Sequence, residues 1–271
     1  ACLNIDGWAM RPATRAGQIA RIAKDADLMI AEGVMGLFDG AADGTGSSAD
    51  LAAELGLPVI LIVDVSGQSA SAAAVVSGFK EFRKDINIVG VIFNRVGSRR
   101  HEQMLRRAMS TISIPILGCL LRDETLALDS RHLGLVQASE LSDIEKQIDA
   151  AATLISDTID LNTLTTLSEP LIMPEPVPTT PVIPPLGQRI AIASDSAFSF
   201  CYPHILRSWQ KAGASLSTFS PLADEAPPLD CDAVYLPGGY PELHAAKIAS
   251  SETFMTGLRE AGKQDATLYG E

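Results

Sequence analysis

Two carboxylates, Glu32 and Asp39, bracket a glycine-rich turn in the run AEGVMGLFDG from Ala31 to Gly40. In open α/β sheets ligands collect outside the carboxyl ends of the strands, so an acid delivered there is placed as a magnesium ligand would be. The preceding DADLMIAEG reads as the buried parallel strand that would deliver Glu32. Gly33, Gly36 and Gly40 permit close approach of backbone N–H groups to an anion. Taken alone, the same residues also fit a tight strand-to-helix turn whose acids are merely solvated.

The elements that follow repeat the pattern. GTGSSADLAAELGLPVILIVDVSG supplies a small-residue loop from Gly44 to Ser48, a helix started by Ser48 or Asp50, and an apolar strand ending at Asp64. INIVGVIFNRVGS ends likewise at Asn94, whose amide can donate and accept along a purine edge. Three successive strand ends are thus expected to carry Glu32, Asp64 and Asn94.

With these residues in view, the chain resembles the cobyrinate and hydrogenobyrinate a,c-diamide synthases of corrin biosynthesis. NIDGWAM (Asn4 to Met10), EGVMGLFDG (Glu32 to Gly40), GSSADLA (Gly46 to Ala52), GVIFNRVGSRRH (Gly90 to His101) and RHLGL (Arg131 to Leu135) fall in that family's order. DSAFSFCYP, FSPLADEAPP and LPGGYPELHA continue it. The implied fold is α/β: a P-loop NTPase domain of the dethiobiotin-synthetase type with a parallel sheet, then a class I glutamine amidotransferase domain of flavodoxin-like form, both incomplete. The implied reaction is ATP- and glutamine-dependent amidation of the a and c acetate carboxylates through acyl phosphates, in cobalamin biosynthesis. The resemblance makes Glu32 a magnesium ligand, Asp64 a further or water-mediated metal partner, and Asn94 the adenine reader. Asp39 would lie by the reacting carboxylate, with Ser47, Ser48, Arg131 and His132 on corrinoid arms. Cobyric acid synthase, a nickel-sirohydrochlorin a,c-diamide synthase, a P-loop switch ATPase and a non-catalytic binding module are the competing readings.

Composition sets outer bounds. A length of 271 residues with 46% hydrophobic content suits one large or two modest domains. No apolar stretch reaches the roughly 18 residues of a membrane span and no signal peptide opens the chain, so a cytoplasmic protein is expected. Cys2, Cys119, Cys201 and Cys231 form no CxxC pair, which argues against a zinc site or a disulfide framework. A net charge of −12 argues against nucleic acid as a partner. A polycarboxylate substrate still needs local positive charge, and arginines cluster at Arg95, Arg99 and Arg100 beside His101, and at Arg131 with His132. Arg106 and Arg107 read instead as the solvated face of an amphipathic helix. A homodimer is left open.

Organisation follows a proline-rich break, LSEPLIMPEPVPTTPVIPPLG. The expected domains are 1–161 for ATP and corrinoid, a linker at 162–188, and 189–271 for the start of the amidotransferase. There, Leu236 to Gly239 (LPGG) would place the Gly239 backbone N–H where the oxyanion of a glutamyl thioester forms. Asp195, Phe198, Tyr202, Tyr240 and Glu242 look like loop residues around that substrate. Two family motifs are missing: no GxxxxGK[ST] loop occurs, and the cysteine of the GEC elbow would come directly after Glu271. An internal fragment, inert in both half-reactions by itself, is the expectation.

Overall fold

Asp64, the last residue of one strand, stands opposite Asn94, near the end of its parallel neighbour, which fixes the frame of the first unit. The computed structural model describes residues 2–123, 130–131, 134–136, 138–141, 143–173 and 183–271. It divides into a unit of Glu32–Pro174 and a unit that joins Ala1–Ala31, with helix α1 (Pro12–Ala23), to Glu175–Glu271. The expected boundaries differ from this division in where residues 1–31 fall.

In the Glu32–Pro174 unit, α2 (Ser48–Leu55) precedes β1 (Val59–Asp64), and α3 (Ser71–Phe82) leads to β2 (Ile88–Val96). Helix α4 (Arg99–Met109) then leads to β3 (Ile116–Leu121), giving a parallel sheet in the order β1-β2-β3. Leu61, Val63, Val91 and Phe93 face a core shared with Val76 of α3 and Leu105 of α4. Ile92 and Leu117 pack on the other face with Ile159, Leu164 and Leu167. Two short strands, β4 (Ser130–Arg131) and β5 (Gly134–Leu135), pair antiparallel. After α5 (Ile144–Thr158) a further helix, α6 (Leu161–Thr166), occupies the beginning of the expected linker. Asp160 caps it by accepting from Thr163 N–H at 2.9 Å, a local signal that precedes the prolines.

The strand expected over residues 25–33 is not formed. That run is coil, with Ile30 81% exposed. An apolar run becomes a strand only against a partner edge, and the side of β1 away from β2 pairs with none of the described residues. Ile62 on β1 is correspondingly 69% exposed.

The second unit contains β6 (Arg189–Ala193), α7 (Pro203–Lys211), β7 (Ser215–Phe219) and β8 (Ala233–Leu236). They are followed by α8 (Ala245–Ala249), α9 (Glu252–Lys263) and β9 (Thr267–Gly270). All four strands are parallel, in the order β7-β6-β8-β9. Chain direction across the sheet therefore reverses between β6 and β8, the position at which open α/β sheets leave a crevice. Ala191, Val234 and Phe254 fill one face, while Ile190, Ile192, Trp209 and Tyr235 fill the other. Among the described residues no helix is long and apolar enough to cross a membrane.

Helix α2 begins with a reciprocal cap. Asp50 N–H donates to Ser47 Oγ at 3.1 Å, and Ser47 N–H donates to Asp50 Oδ2 at 3.0 Å. Arg83 pairs with the other Asp50 oxygen at 2.5 Å and also with Asp85 at 2.6 Å. These bonds, the Arg83 one foremost, hold the Asp50 carboxyl below its ordinary range. Asp50→Ala should cost about 1 kcal/mol of stability through the lost cap. A folded-state value below the unfolded one stabilises above pH ~4 and is lost as pH falls through it, so urea unfolding should show the variant's deficit shrinking toward pH 2.

Candidate functional site

The glycine-rich run from Gly33 to Gly40 docks on the start of α2. Ala49 N–H donates to the Leu37 carbonyl at 2.9 Å, and Val34 N–H donates to Ser48 Oγ at 3.2 Å. Inside the loop, Asp39 Oδ2 accepts from Gly36 N–H at 2.9 Å. A Cβ on Gly36 would lie 2.4 Å from that oxygen, so glycine is required for Asp39 to close the turn. Met35 takes φ +64 and leaves its side chain 85% exposed, a conformation that costs a non-glycine residue energy. Phe38 stacks on Phe79 at 5.4 Å and meets Phe82 at 4.7 Å, so the loop is anchored to α3 as well.

The expected ligands divide by what already holds them. Glu32 is exposed and lies on coil rather than at a strand end. Ser47 is 3% exposed, and its Oγ accepts the Asp50 N–H of the cap. Ser48 bonds the loop backbone but stays at its surface. Asp64 does end β1, yet Arg95 Nη1 bonds it at 3.0 Å and Ser66 N–H donates to it at 2.8 Å. Hydrogen bonds from Ser66, then the Arg95 guanidinium, keep its carboxyl below the ordinary range. Asn94 Oδ1 accepts from Arg95 N–H at 2.8 Å, and Arg95 itself adopts φ +60. Arg131 lies on β4, where it pairs with Gly134, and His132 lies outside the described residues.

Mg2+ held mainly by nucleotide phosphates asks for only one or two protein carboxylates. An exposed Glu32 fits that demand, and Asp64, an exposed carboxylate that Arg95 and Ser66 already engage, is the further acid at a strand end. Among the described residues no group of three or more His, Cys, Asp or Glu side chains is placed to hold a metal ion by itself.

The loops after β1 and β2 are also tied by His101. Its Nδ1 accepts from Gly97 N–H at 3.1 Å, which leaves Nε2 to donate to the Gln68 carbonyl at 2.5 Å. Arg106 and Arg107 lie exposed on α4 as expected, and Arg99, expected in a positive cluster, pairs with the same Glu102 as Arg106, each at 2.9 Å.

In the other unit the candidate centre lies where β6 and β8 diverge. Asp195 Oδ1 accepts from Ala197 N–H, and its Oδ2 accepts from Ser220 Oγ and Leu222 N–H, each at 2.9 Å. The loop after β6 is thereby tied to that after β7. Tyr240 N–H donates to the Ala197 carbonyl at 3.1 Å, and a Cβ on Gly239 would lie 2.1 Å from that oxygen. Only glycine allows this approach. A contact that sequence reasoning missed joins Tyr235 to Glu271, at 2.7 Å between hydroxyl and carboxylate. Its signal was faint: two strands distant in sequence whose parallel register sets Tyr235 beside Tyr269.

Residues 8–128 match the family described as an AAA domain, and residues 189–271 match the CobB/CobQ-like glutamine amidotransferase domain. A protein named hydrogenobyrinate a,c-diamide synthase from Brucella anthropi is 51% identical over 271 residues, 100% of this chain and 62% of that protein. Proteins of the same name from Brucella suis biovar 1 and Rhizobium meliloti are each 50% identical, again over 100% of this chain and 62% of theirs. The chain thus spans about three-fifths of the length of these curated relatives. No solved structure matches it at a comparable level of significance. Along its whole length the chain is similar to proteins named hydrogenobyrinate a,c-diamide synthase, and its AAA-domain match is followed by a match to the CobB/CobQ-like glutamine amidotransferase domain.

Proposed function

We propose that the protein bearing this chain amidates the a and c acetate carboxylates of hydrogenobyrinate or cobyrinate, using ATP and glutamine. The observation that carries the reading is 51% identity over all 271 residues to a synthase of that name. Residues 1–161 are assigned to ATP and the corrinoid, and residues 189–271 to glutamine. A carboxylate is a poor electrophile, so its oxygen must first take the γ-phosphoryl group of ATP, releasing ADP. Ammonia from glutamine then attacks the acyl carbon and phosphate leaves.

Each residue's part follows from its setting. Mg2+ on the nucleotide would offset phosphate charge during transfer, and Glu32 is the carboxylate proposed to hold it. Asn94 Oδ1 keeps a second lone pair beyond the Arg95 N–H bond and, with its amide NH2, suits the donor and acceptor of an adenine edge. Asp39, fixed by Gly36, is assigned to the reacting carboxylate or the incoming ammonia. Ser48, Arg131 and His132 are assigned to the substrate's peripheral carboxylates. The Gly239 N–H is assigned to the oxyanion of glutamine hydrolysis.

A second reading, cobyric acid synthase, shares the two-domain plan, but the relatives' names favour the a,c-diamide reaction. Incubating the full-length protein with ATP, glutamine and each corrinoid, and weighing the products by mass spectrometry, separates the two.

Glu32→Gln in the full-length protein should abolish ATP-dependent amidation while glutamate release from glutamine persists. Normal synthase turnover at limiting magnesium would remove Glu32 from the metal. Asp39→Asn should leave ATP affinity within about tenfold, or roughly 1.4 kcal/mol, while depressing amidation. Gly36→Ala should reproduce that pattern, because its Cβ displaces the Asp39 carboxylate; nucleotide titration by fluorescence against product yield makes the comparison.

A further inference from the structure

The peptide between Gly238 and Gly239 is held from several directions. Phe200 N–H donates to the Gly238 carbonyl at 2.8 Å. In a trans peptide the N–H points opposite to the C=O, so this bond turns the Gly239 N–H away from Phe200. The bond from Tyr240 N–H to Ala197 fixes the next peptide. Among the described residues, Gly239 N–H is given no acceptor.

The preceding peptide is held by Glu271. Its Oε2 accepts from Gly238 N–H at 3.4 Å, while Oε1 accepts from the Tyr235 hydroxyl at 2.7 Å. Glu271 N–H donates to the Leu236 carbonyl at 3.1 Å, which seats the carboxylate at the end of β8. Tyr235 is 1% exposed and wedged edge-on against Trp209 at 5.4 Å, so its hydroxyl is a fixed post. Burial, reinforced by the bond to Glu271, raises the Tyr235 phenol well above its ordinary value and keeps it a donor. The buried Tyr235 hydroxyl holds one oxygen of the exposed Glu271 carboxylate, and the other oxygen reaches the Gly238 N–H by the longer of the two bonds.

We propose that Glu271, braced by Tyr235, is a positioning residue for glutamine hydrolysis, setting the Gly238 peptide so that the Gly239 N–H meets the oxyanion. The inference rests on the amidotransferase reading above. The net reaction it serves is glutamine and water to glutamate and ammonia, and neither Tyr235 nor Glu271 exchanges a proton in it. A misaimed donor weakens the transition state more than the bound amide.

The test uses the full-length protein with Glu271→Ala, Glu271→Gln, Tyr235→Phe and the double variant Tyr235→Phe/Glu271→Ala. Glu271→Ala should lower kcat for glutamate release by about tenfold, with KM for glutamine within about threefold, because one oxyanion donor is misaimed rather than removed. Glu271→Gln keeps one acceptor oxygen and should recover part of the loss. Tyr235→Phe should lose less, and the double variant should be no worse than Glu271→Ala, since both act through one strut. Amidation driven by ammonium chloride in place of glutamine should be unchanged in all four. Full glutaminase kcat in Glu271→Ala overturns the inference, and so does an equal loss of the ammonium-driven rate. Absence of glutamate release by the unaltered protein would instead overturn the amidotransferase reading itself.

Discussion

Loops at the carboxyl edge of a parallel sheet leave backbone N–H groups with no ladder to join, and burying or ordering them demands acceptors. This chain meets the demand with aspartates. Asp39 takes Gly36 N–H, Asp64 takes Ser66 N–H, and Asp195 takes both Ala197 and Leu222. Asp50 does the same for Ser47 at the start of α2. Some of the acids behind the charge of −12 are therefore committed to internal work at loop turns. What remains uncommitted, Glu32 above all, is distinguished by contrast.

Both units apply one scheme to different chemistry. In the Glu32–Pro174 unit, cross-links between adjacent loops come from side chains, Arg95 to Asp64 and His101 to Gln68. In the other, the Asp195 side chain joins the loop after β6 to that after β7, and backbone links add to it, Ala197 O receiving Tyr240 and Gly238 O receiving Phe200.

The end of β1 was legible because an apolar run closed by a polar residue marks where a parallel strand leaves the core; β2 runs on to Val96, two residues past the expected end at Asn94, which pairs with Asp64. Residues 25–33 carry the same pattern and are coil, since pattern reports how a segment could be buried and not whether an edge is there to receive it. The cap of α2 was only half legible: SSAD offers two adjacent hydroxyls, and the spacing to Asp50 singles out Ser47 as the capping one. Helix α6 was lost in the proline-rich run, although Asp160 and Thr163 spell its cap. The Tyr235 to Glu271 contact joins two strands distant in sequence, and no local signal announces it.

The aromatic trio of Phe38, Phe79 and Phe82 has a mechanical consequence. Phe38 is the residue immediately before Asp39, and its ring is gripped by the last turn of α3. Two ring contacts convert that turn into the short arm of a lever whose fulcrum is the packed face of α3 and whose load is an aspartate one peptide bond away. The direction of that carboxylate is thus set from two sides, by the Gly36 N–H within the turn and by three phenyl rings behind it, so a smaller side chain at Phe79 or Phe82 reaches Asp39 without touching it.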